Sequence, residues 1–597
     1  MPAGTVVLLG ASMTLLCGLM QNAARLAARE FLGQPLDHGV HAWWTTPLGD
    51  AVIYVPLVLL LLAGGRTLDS VNRRDVVWTV LWLPFFLTGL LLVPRLHDAA
   101  RLVLAFGLAL RAGALAARWT PTFERGLVRR STLLLASVTL TIAVPLSVWP
   151  LVQEHRDESA LAAAPPGAPN VLLLIWDTVR ASSLGLYGNE RPTAPLLSRL
   201  AEQGVVFDWA IATASYTLPS HSSLLTGRWA HELSSSWRTP LNDEPRTLAE
   251  VLASAGYRTG AFSANRIYVT REYGLGRGFA HFEEHRLGPE EVIDNSTLAR
   301  TVATSNVIRD LIRFNDALGR VPAERNHAAL VRWLDRDRSH PWFAFVNFME
   351  GHLPYLPSER FATRFGWYSA GSEEQRRAAR ALSRHEPEDL PPEKAARQIT
   401  AYEGAIAELD EKVGALLSDL RARGLLDNTI IVVAADHGEE FGEHALFGHG
   451  NSLYLQSLRV PLVVVFQGRV PPRTRVRETV SLRSVAATVL DLAGQPPELP
   501  GGSLRPLWER SGLWSGDAAL SEIRQYGRLP DRAQSRLGGI ASGIGEGVQV
   551  IRRGDGAIEA YDLAADPTGV ARADTTHGVV TRIRDQLPPR RQQGAGR

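Results

Sequence analysis

Three apolar runs of strand length end in residues that hold divalent metals. Asn170–Trp176 is followed by Asp177, residues 429–435 by Asp436 and His437, and Trp342–Phe348 by Glu350 and His352. Carboxylate oxygen together with imidazole nitrogen suits zinc or manganese, while carboxylates alone lean toward calcium or magnesium. One Asp after a strand is more often a turn residue or a helix cap. An Asp-His pair followed by Gly438, in agreement with two other strand ends, is harder to explain that way. A second constellation is Ser215-Tyr-Thr-Leu-Pro-Ser-His-Ser-Ser-Leu-Leu-Thr-Gly227. Pro219 fits the first turn of a helix and Gly227 its C-terminal cap, so Thr217 and Ser220 fall at the helix N-terminus. Unpaired N–H groups and the positive dipole end favour an anion there. A hydroxyl in such a place, beside a metal, can be deprotonated and attack phosphorus or sulfur. Taken alone, it would be a plain cap.

These residues need a scaffold that brings distant strand ends together. Strand-length runs recur at 259–264 and 460–466, and helical patterns lie between, at 193–203, 247–255 and 401–423. In the last, Ile406, Leu409, Val413, Leu416, Leu417 and Leu420 repeat at helical spacing. Alternating strands and helices predict an α/β domain with a mostly parallel sheet, whose chemistry sits at the carboxyl ends of its strands.

The chain has 597 residues, enough for two to four structural units at roughly 100–200 residues each. Its 63 basic and 61 acidic residues nearly balance, which gives no electrostatic case for nucleic acid. The single cysteine, Cys17, excludes an internal disulfide, a Cys-ligated metal site, and a Cys nucleophile outside the first apolar segment.

The first 150 residues are far more apolar than the rest. Apolar stretches at 5–20, 51–64, 76–93, 102–117 and 132–148 predict four or five transmembrane helices. The first lacks a basic flank and a clean cleavage site, so a multi-pass domain is favoured over a signal peptide. Arg66, Arg73 and Arg74 fill one loop, and Arg118, Arg125, Arg129 and Arg130 another. The alternate loops carry only Arg25 and Arg29, or Arg95 and Arg101. The richer loops are expected in the cytoplasm, which sends the remainder of the chain to the outer side of a cell membrane. The expected organisation is a transmembrane domain (1–150), an Ala/Pro-containing linker (151–169), a catalytic domain (170–590) and a disordered tail (591–597). The polar stretch 359–397 reads either as a lid or as a membrane-facing insertion.

Thr217-Leu-Pro-Ser-His-Ser-Ser-Leu-Leu-Thr-Gly227 resembles the sulfatase signature Cys/Ser-x-Pro-Ser-Arg-x-x-x-Leu-Thr-Gly, within the wider alkaline phosphatase superfamily. Asp436-His-Gly-Glu-Glu-Phe-Gly-Glu-His444 resembles that family's second metal motif, and Gly448-His-Gly450, Tyr454, Arg459-Val-Pro-Leu462, the stretch 247–284 and Tyr561-Asp-Leu-Ala-Ala-Asp-Pro567 continue the likeness. It covers about residues 168–590 and implies a doubly wound, mostly parallel alkaline phosphatase/sulfatase-like sheet. The departures shape the expected chemistry. Sulfatases convert a Cys or Ser to formylglycine where this chain has Thr217. The signature Arg is His221, a paired Asp is Thr178, and the sulfate-holding lysines have no counterpart, since the chain has only Lys394 and Lys412. A Thr at this place, with Trp176-Asp-Thr-Val-Arg-Ala181 and Leu186-Tyr-Gly188, is similar instead to phosphoethanolamine transferases and lipoteichoic acid synthases. Those too place membrane helices before an outward-facing catalytic domain.

Carried over by position, this resemblance implies one divalent ion (manganese, zinc or calcium) held by Asp177, Thr217, Asp436 and His437. It implies Thr217 as the nucleophile, with His352 and His449 contacting the transferring group or protonating the leaving oxygen. His221, Arg180 and Arg228 would meet the substrate anion, and Glu440 and His444 read as supporting residues. The expected substrate is a phosphate or sulfate ester of a lipid headgroup or glycan, met beside membrane lipids, with phosphoryl transfer slightly favoured. The alternative is an inactive domain of the same fold that binds an anionic glycan or lipid.

Overall fold

The computed structural model describes residues 1–33, 38–64, 70–93, 96–119, 125–285, 287–305, 308, 320–366, 392–510, 517–525 and 534–589. The expected tail, most of the 359–397 stretch, and Arg66 and Arg95 lie outside these residues. Five helices come first: α1 (Ala3–Leu32), α2 (Ala42–Gly64), α3 (Ser70–Leu91), α4 (Asp98–Trp119) and α5 (Arg125–Ser159). Then follow β1 (Asn170–Trp176), α6 (Pro195–Ala201), β2 (Val205–Ile211), α7 (Thr217–Thr226), α8 (Leu248–Ser254), β3 (Arg258–Phe262) and β4 (His281–Glu283). Two short helices, α9 (Pro289–Asn295) and α10 (Thr297–Thr304), precede α11 (Ala323–Leu334), β5 (Trp342–Phe348), α12 (Glu359–Phe365), α13 (Pro392–Ala422) and β6 (Thr429–Ala434). The chain continues through β7 (Glu440–Phe441), β8 (Phe447–Gly448), β9 (Arg459–Val460), β10 (Leu462–Val465), β11 (Thr474–Ser481) and α14 (Ser484–Leu492).

Two compact units result, one of residues 1–156 with 285–314, the other of 157–284 with 315–597. A segment from within the 170–590 range thus belongs to the first unit, and α5 runs through about the first half of the expected linker.

In the first unit all five long helices are apolar enough to cross a membrane, which is compatible with a membrane anchor. The sequence stretches are shorter than these helices because polar ends extend them by a turn or more. Val6, Leu9, Met13, Cys17, Tyr54, Val77, Leu81 and Val128 form the buried core. α9 packs directly on α2, and Gly49 permits it: a Cβ there would meet the Val292 carbonyl oxygen at 2.2 Å. Around this contact lies a hydrogen-bonded polar cluster. Asp50 accepts from Gln21 Nε2 at 2.8 and 3.0 Å and from Ser296 Oγ at 2.6 Å. The Thr297 N–H donates to Gln21 Oε1 (2.8 Å), and Arg25 donates to the Asn295 carbonyl (2.8 Å) and to Thr297 Oγ1 (3.0 Å).

The second unit is built on a nine-stranded sheet, ordered β11-β2-β10-β6-β1-β5-β3-β4, with β9 pairing to β2. β6, β1, β5, β3 and β4 run parallel, as do β11 and β2, while β10 is antiparallel to both its neighbours. The central strands read as unbroken apolar runs because both faces are covered. α6 and α11 each pack on α13, while α7, α8 and α14 pack on one another. All five expected strand runs form strands, the 460–466 run being split between β9 and β10 by Pro461. β2 and β11 were not foreseen, since Asp208 and the charged residues of β11 break their apolar pattern. The C-terminal part forms a separate four-stranded antiparallel sheet, residues 519–562. Register does the positioning: Trp176 pairs with Phe348 and Ile175 with Ala434, so Asp177, Asp436 and the 349–352 turn leave the sheet at one edge.

Candidate active site and metal centre

Asp177, Asp436 and His437 meet at that edge, fully buried, with one ligand atom from each lying within 4.8 Å of the others. Asp177 Oδ2 accepts from Asn265 Nδ2 (3.0 Å) and Asn347 Nδ2 (3.4 Å). Asp436 Oδ1 accepts from the N–H groups of Thr178 (3.1 Å) and His437 (2.9 Å). The remaining oxygens, Asp177 Oδ1 and Asp436 Oδ2, have no hydrogen-bond partner. His437 Nδ1–H donates to the Gly438 carbonyl (3.0 Å), which leaves the Nε2 lone pair toward the cluster. Orphaned buried carboxylate oxygens are costly. Donors around one ion at about 2.0–2.6 Å lie within about 5.2 Å of one another, so this set fits a divalent metal.

Electrostatics agree. Burial, and then the charge of Asp177, push the Asp436 carboxyl well above the usual carboxylate range. Burial would also raise Asp177, but His352, His437 and His221 bring it below its ordinary value. Two carboxylates in one dry pocket do not both ionise without a cation. Burial keeps His437 and His221 well toward the neutral form.

Thr217 opens α7 in the first turn, as Pro219 and the left-handed Gly227 (φ 71°) require. Its Oγ1 lies 3.3 Å from His437 Nε2. Ser220 Oγ ties the helix to the Asp436 carbonyl at 2.6 Å. His221 Nδ1–H donates to the Thr217 carbonyl (2.9 Å) and lies 3.4 Å from Asp436 Oδ2, so it braces both Thr217 and Asp436. Thr178 sits at φ 63°, a conformation unfavourable for a β-branched residue. Its hydroxyl donates to the Gly351 carbonyl at 2.7 Å, away from the metal cluster.

Two more imidazoles lie next to His437. The rings of His449 and His437 are 4.6 Å apart, and those of His449 and His352 5.1 Å. His352 Nδ1–H donates to the Leu353 carbonyl (2.8 Å). Burial and the neighbouring His449 hold His352 below its ordinary pKa. His449 Nδ1 pairs with Glu439 Oε1 at 2.8 Å, and the Tyr355 hydroxyl donates to Glu439 Oε2 at 2.7 Å. Burial opposes the charged imidazole of His449, yet the Glu439 carboxylate outweighs it and raises the pKa.

The structure thus brings together Asp177, Thr217, His221, His352, Asp436, His437 and His449. It gives Arg180 other work: the guanidinium pairs with Glu443, donates to Ser183 Oγ (3.0 Å) and lies over the Phe441 ring. Arg228 is exposed just past the far end of α7, about 15 Å from Thr217 by helical rise, so it is not delivered to the site. Glu350, although it follows β5, accepts from the Ala323 N–H (2.8 Å) and faces Lys412 (3.5 Å) rather than the cluster. Glu440 accepts from Ser452 Oγ (2.6 Å), and His444 stacks on Tyr454 with centroids 3.6 Å apart, both in supporting places. Asn265, Asn347 and Glu439 went unread. Asn347 was the one polar residue of an apolar strand, and Glu439 stood beside the Asp-His pair.

A doubly wound sheet with metal-binding carboxylates at its strand ends and a hydroxyl at a helix N-terminus beside them defines a hydrolase of the alkaline phosphatase superfamily. The family model described as Sulfatase matches residues 169–495. An arylsulfatase of Clostridium perfringens is 27% identical over 395 residues, covering 58% of this chain and 80% of that protein. An N-acetylglucosamine-6-O-sulfatase of Bacteroides thetaiotaomicron is 23% identical over 482 residues, 67% of this chain and 81% of that protein. The crystal structure of a phosphonate monoester hydrolase of Agrobacterium radiobacter shares the fold, with a TM-score of 0.54 at 23% identity over 70% of this chain and 93% of that one. The chain belongs to the sulfatase family, whose members use a metal ion.

Proposed function

We propose that this chain is a membrane-anchored, metal-dependent enzyme that cleaves phosphate or sulfate esters outside the cytoplasm through a covalent ester on Thr217. The observation that carries the reading is the Thr217 hydroxyl, 3.3 Å from His437 Nε2 beside two orphaned carboxylate oxygens. Asp177, Asp436 and His437 would hold the ion, with Thr217 Oγ1 beside it. When bound, the ion would favour the ionised hydroxyl and neutralise charge on the substrate's oxygens.

Thr217 Oγ1, its proton released to solvent on ionisation, attacks phosphorus or sulfur, and the bond to the leaving alcohol breaks. His449, kept protonated by Glu439, gives its Nε2 proton to the leaving oxygen. The ester on Thr217 then passes to water or an acceptor hydroxyl. His352 is poised to accept that proton, since its Nδ1–H is already engaged and its lone pair lies on Nε2. Two imidazoles whose surroundings push their pKa values apart divide acid and base work in this way. The N-terminus of α7 adds favourable potential for the equatorial oxygens.

The relatives' names favour sulfate esters, among them a glycan sulfate. A plain Thr hydroxyl in place of formylglycine, and the absence of sulfate-holding lysines from the site, favour phosphoryl chemistry. The five apolar helices and the arginine bias of their loops support a multi-pass anchor with the catalytic unit outside. The test uses the full chain in detergent, stripped of metal and resupplied with manganese, zinc or calcium. A phosphate monoester, a phosphate diester and a sulfate ester with one leaving group are compared. Phosphoester turnover should need metal and should fall at least about a thousandfold in Thr217→Ala. Faster sulfate turnover would replace phosphoryl with sulfuryl chemistry, and turnover that survives Thr217→Ala would remove the covalent step.

A further inference from the structure

Side-chain hydrogen bonds tie α5 to its neighbours at two places. Near one end Thr132 Oγ1 hydrogen-bonds Ser12 Oγ of α1 at 2.7 Å. Toward the other, Ser147 Oγ meets His41 Nδ1, just before α2, at 3.0 Å. Fifteen residues of α5 separate these pegs, about 22 Å of helical rise. In that interval a groove of about 670 Å³ opens between α1, α2 and α5. Small side chains make it: Ala11 on α1, Ala51 on α2 and Ala136 on α5 line its walls where larger residues would close them. Of the three hydroxyl-bearing residues on the walls, Thr14 and Thr139 bond the Gly10 and Leu135 carbonyls of their own helices, both at 2.9 Å, and the Tyr54 oxygen is itself buried out of reach of solvent. The groove therefore offers water almost nothing to bond.

We infer that this groove binds one acyl chain of a membrane phospholipid as a resident ligand. Its occupant must be long, thin and apolar. The groove follows α2 from Trp44 to Leu62, about 27 Å, close to the roughly 30 Å hydrocarbon thickness of a bilayer. Apolar cavities of even about 150 Å³ stay dry and take apolar guests. Among helices that cross a bilayer, acyl chains are the surrounding medium, and a chain seated here would lie along α2, flanked by α1 from Val7 to Leu15 and by α5 from Ala136 to Leu140. The inference rests on the membrane reading of α1–α5, not on the catalytic one.

The test reconstitutes the full chain in vesicles of phosphatidylethanolamine and phosphatidylglycerol with a trace of lipid carrying a diazirine in its acyl chain. Labelled peptides are mapped by mass spectrometry. Val103 on α4, 73% exposed, reports general contact with the bilayer. Label should concentrate at Ala51 and at Ala136 to Leu140 at least fivefold over the Val103 segment. Ala136→Phe, or independently Ala51→Leu, should remove that excess and leave the Val103 label unchanged. Equal labelling of groove and α4, or an excess that survives both substitutions, would overturn the inference. Absence of label everywhere, Val103 included, would overturn it together with the membrane reading.

Discussion

Both units bury carboxylates, but they treat them in opposite ways. Asp50 in the first unit is 2% exposed, and each of its oxygens accepts from Gln21 or Ser296. Asp177 and Asp436 in the second unit are fully buried, and each keeps one oxygen without a hydrogen-bond partner among the described residues. A satisfied buried carboxylate holds structure together, while an unsatisfied pair stores unfavourable energy until a cation arrives. The difference separates scaffold from chemistry more sharply than burial or residue type does.

The contrast is broken most directly at the metal cluster. Asp436→Asn should reduce turnover by about 10⁴-fold, yet the metal-free protein should become more stable, by about 1–3 kcal/mol. The sign follows from the raised pKa of Asp436: the unfolded carboxyl ionises at lower pH than the folded one, so folding loses ground as pH rises, and Asn removes that loss. Thermal unfolding after chelation, read beside metal content, checks both halves. An Asp436→Asn protein that melts lower than metal-free wild type would contradict the account.

Asp50→Ala should do the reverse. Leaving Gln21 and Ser296 without their acceptor should cost about 2–4 kcal/mol, seen as a lower melting temperature in detergent. Turnover per folded molecule should stay within about twofold of wild type, on the scale of the smallest single-site effects. A catalytic collapse at unchanged stability would place Asp50 in the chemistry instead.

The smallest effect sharpens the comparison inside the catalytic unit. Glu439 raises the His449 pKa, so the acid form of His449 persists above its usual value near 6.5. In Glu439→Gln the alkaline limb of the pH–rate profile should move to lower pH, with about a 10–100-fold loss at pH 8. A uniform loss at all pH values would mean that Glu439 serves packing alone.

Much of the site was legible in the sequence, because parallel strands in register make sequence offsets into spatial neighbours. Asp177, Asp436 and His437 each follow a readable apolar run, and Pro219 with Gly227 fixes the helix that presents Thr217. Of the residues reached through loops, His352 and His449 were legible through the resemblance, and the others were not. Glu350 shares the strand-end rule with Asp177 but turns to Lys412, and Arg180 shares the motif but is taken by Glu443. Asn265 reaches Asp177 only because the turn after β3 folds back over the sheet edge. In the fold, buried strands with both faces covered were readable as apolar runs, whereas β2 and β11 carry polar residues and were not. Nothing local in 285–314 marks it as belonging with the N-terminal helices; only the contacts of α9 and α10 with α1 and α2 reveal that.

The chain passes between its two units three times, near residues 156, 284 and 314. With the proposed topology, shedding the second unit from a cell surface takes more than one cut. A protease that severs residues 160–169 breaks one covalent tie, but the released end still carries α9 and α10, seated on Gly49 and tied to Asp50, Gln21 and Arg25. Two further cuts, on either side of that helix pair, would be needed to free the catalytic unit, and they would leave the pair behind.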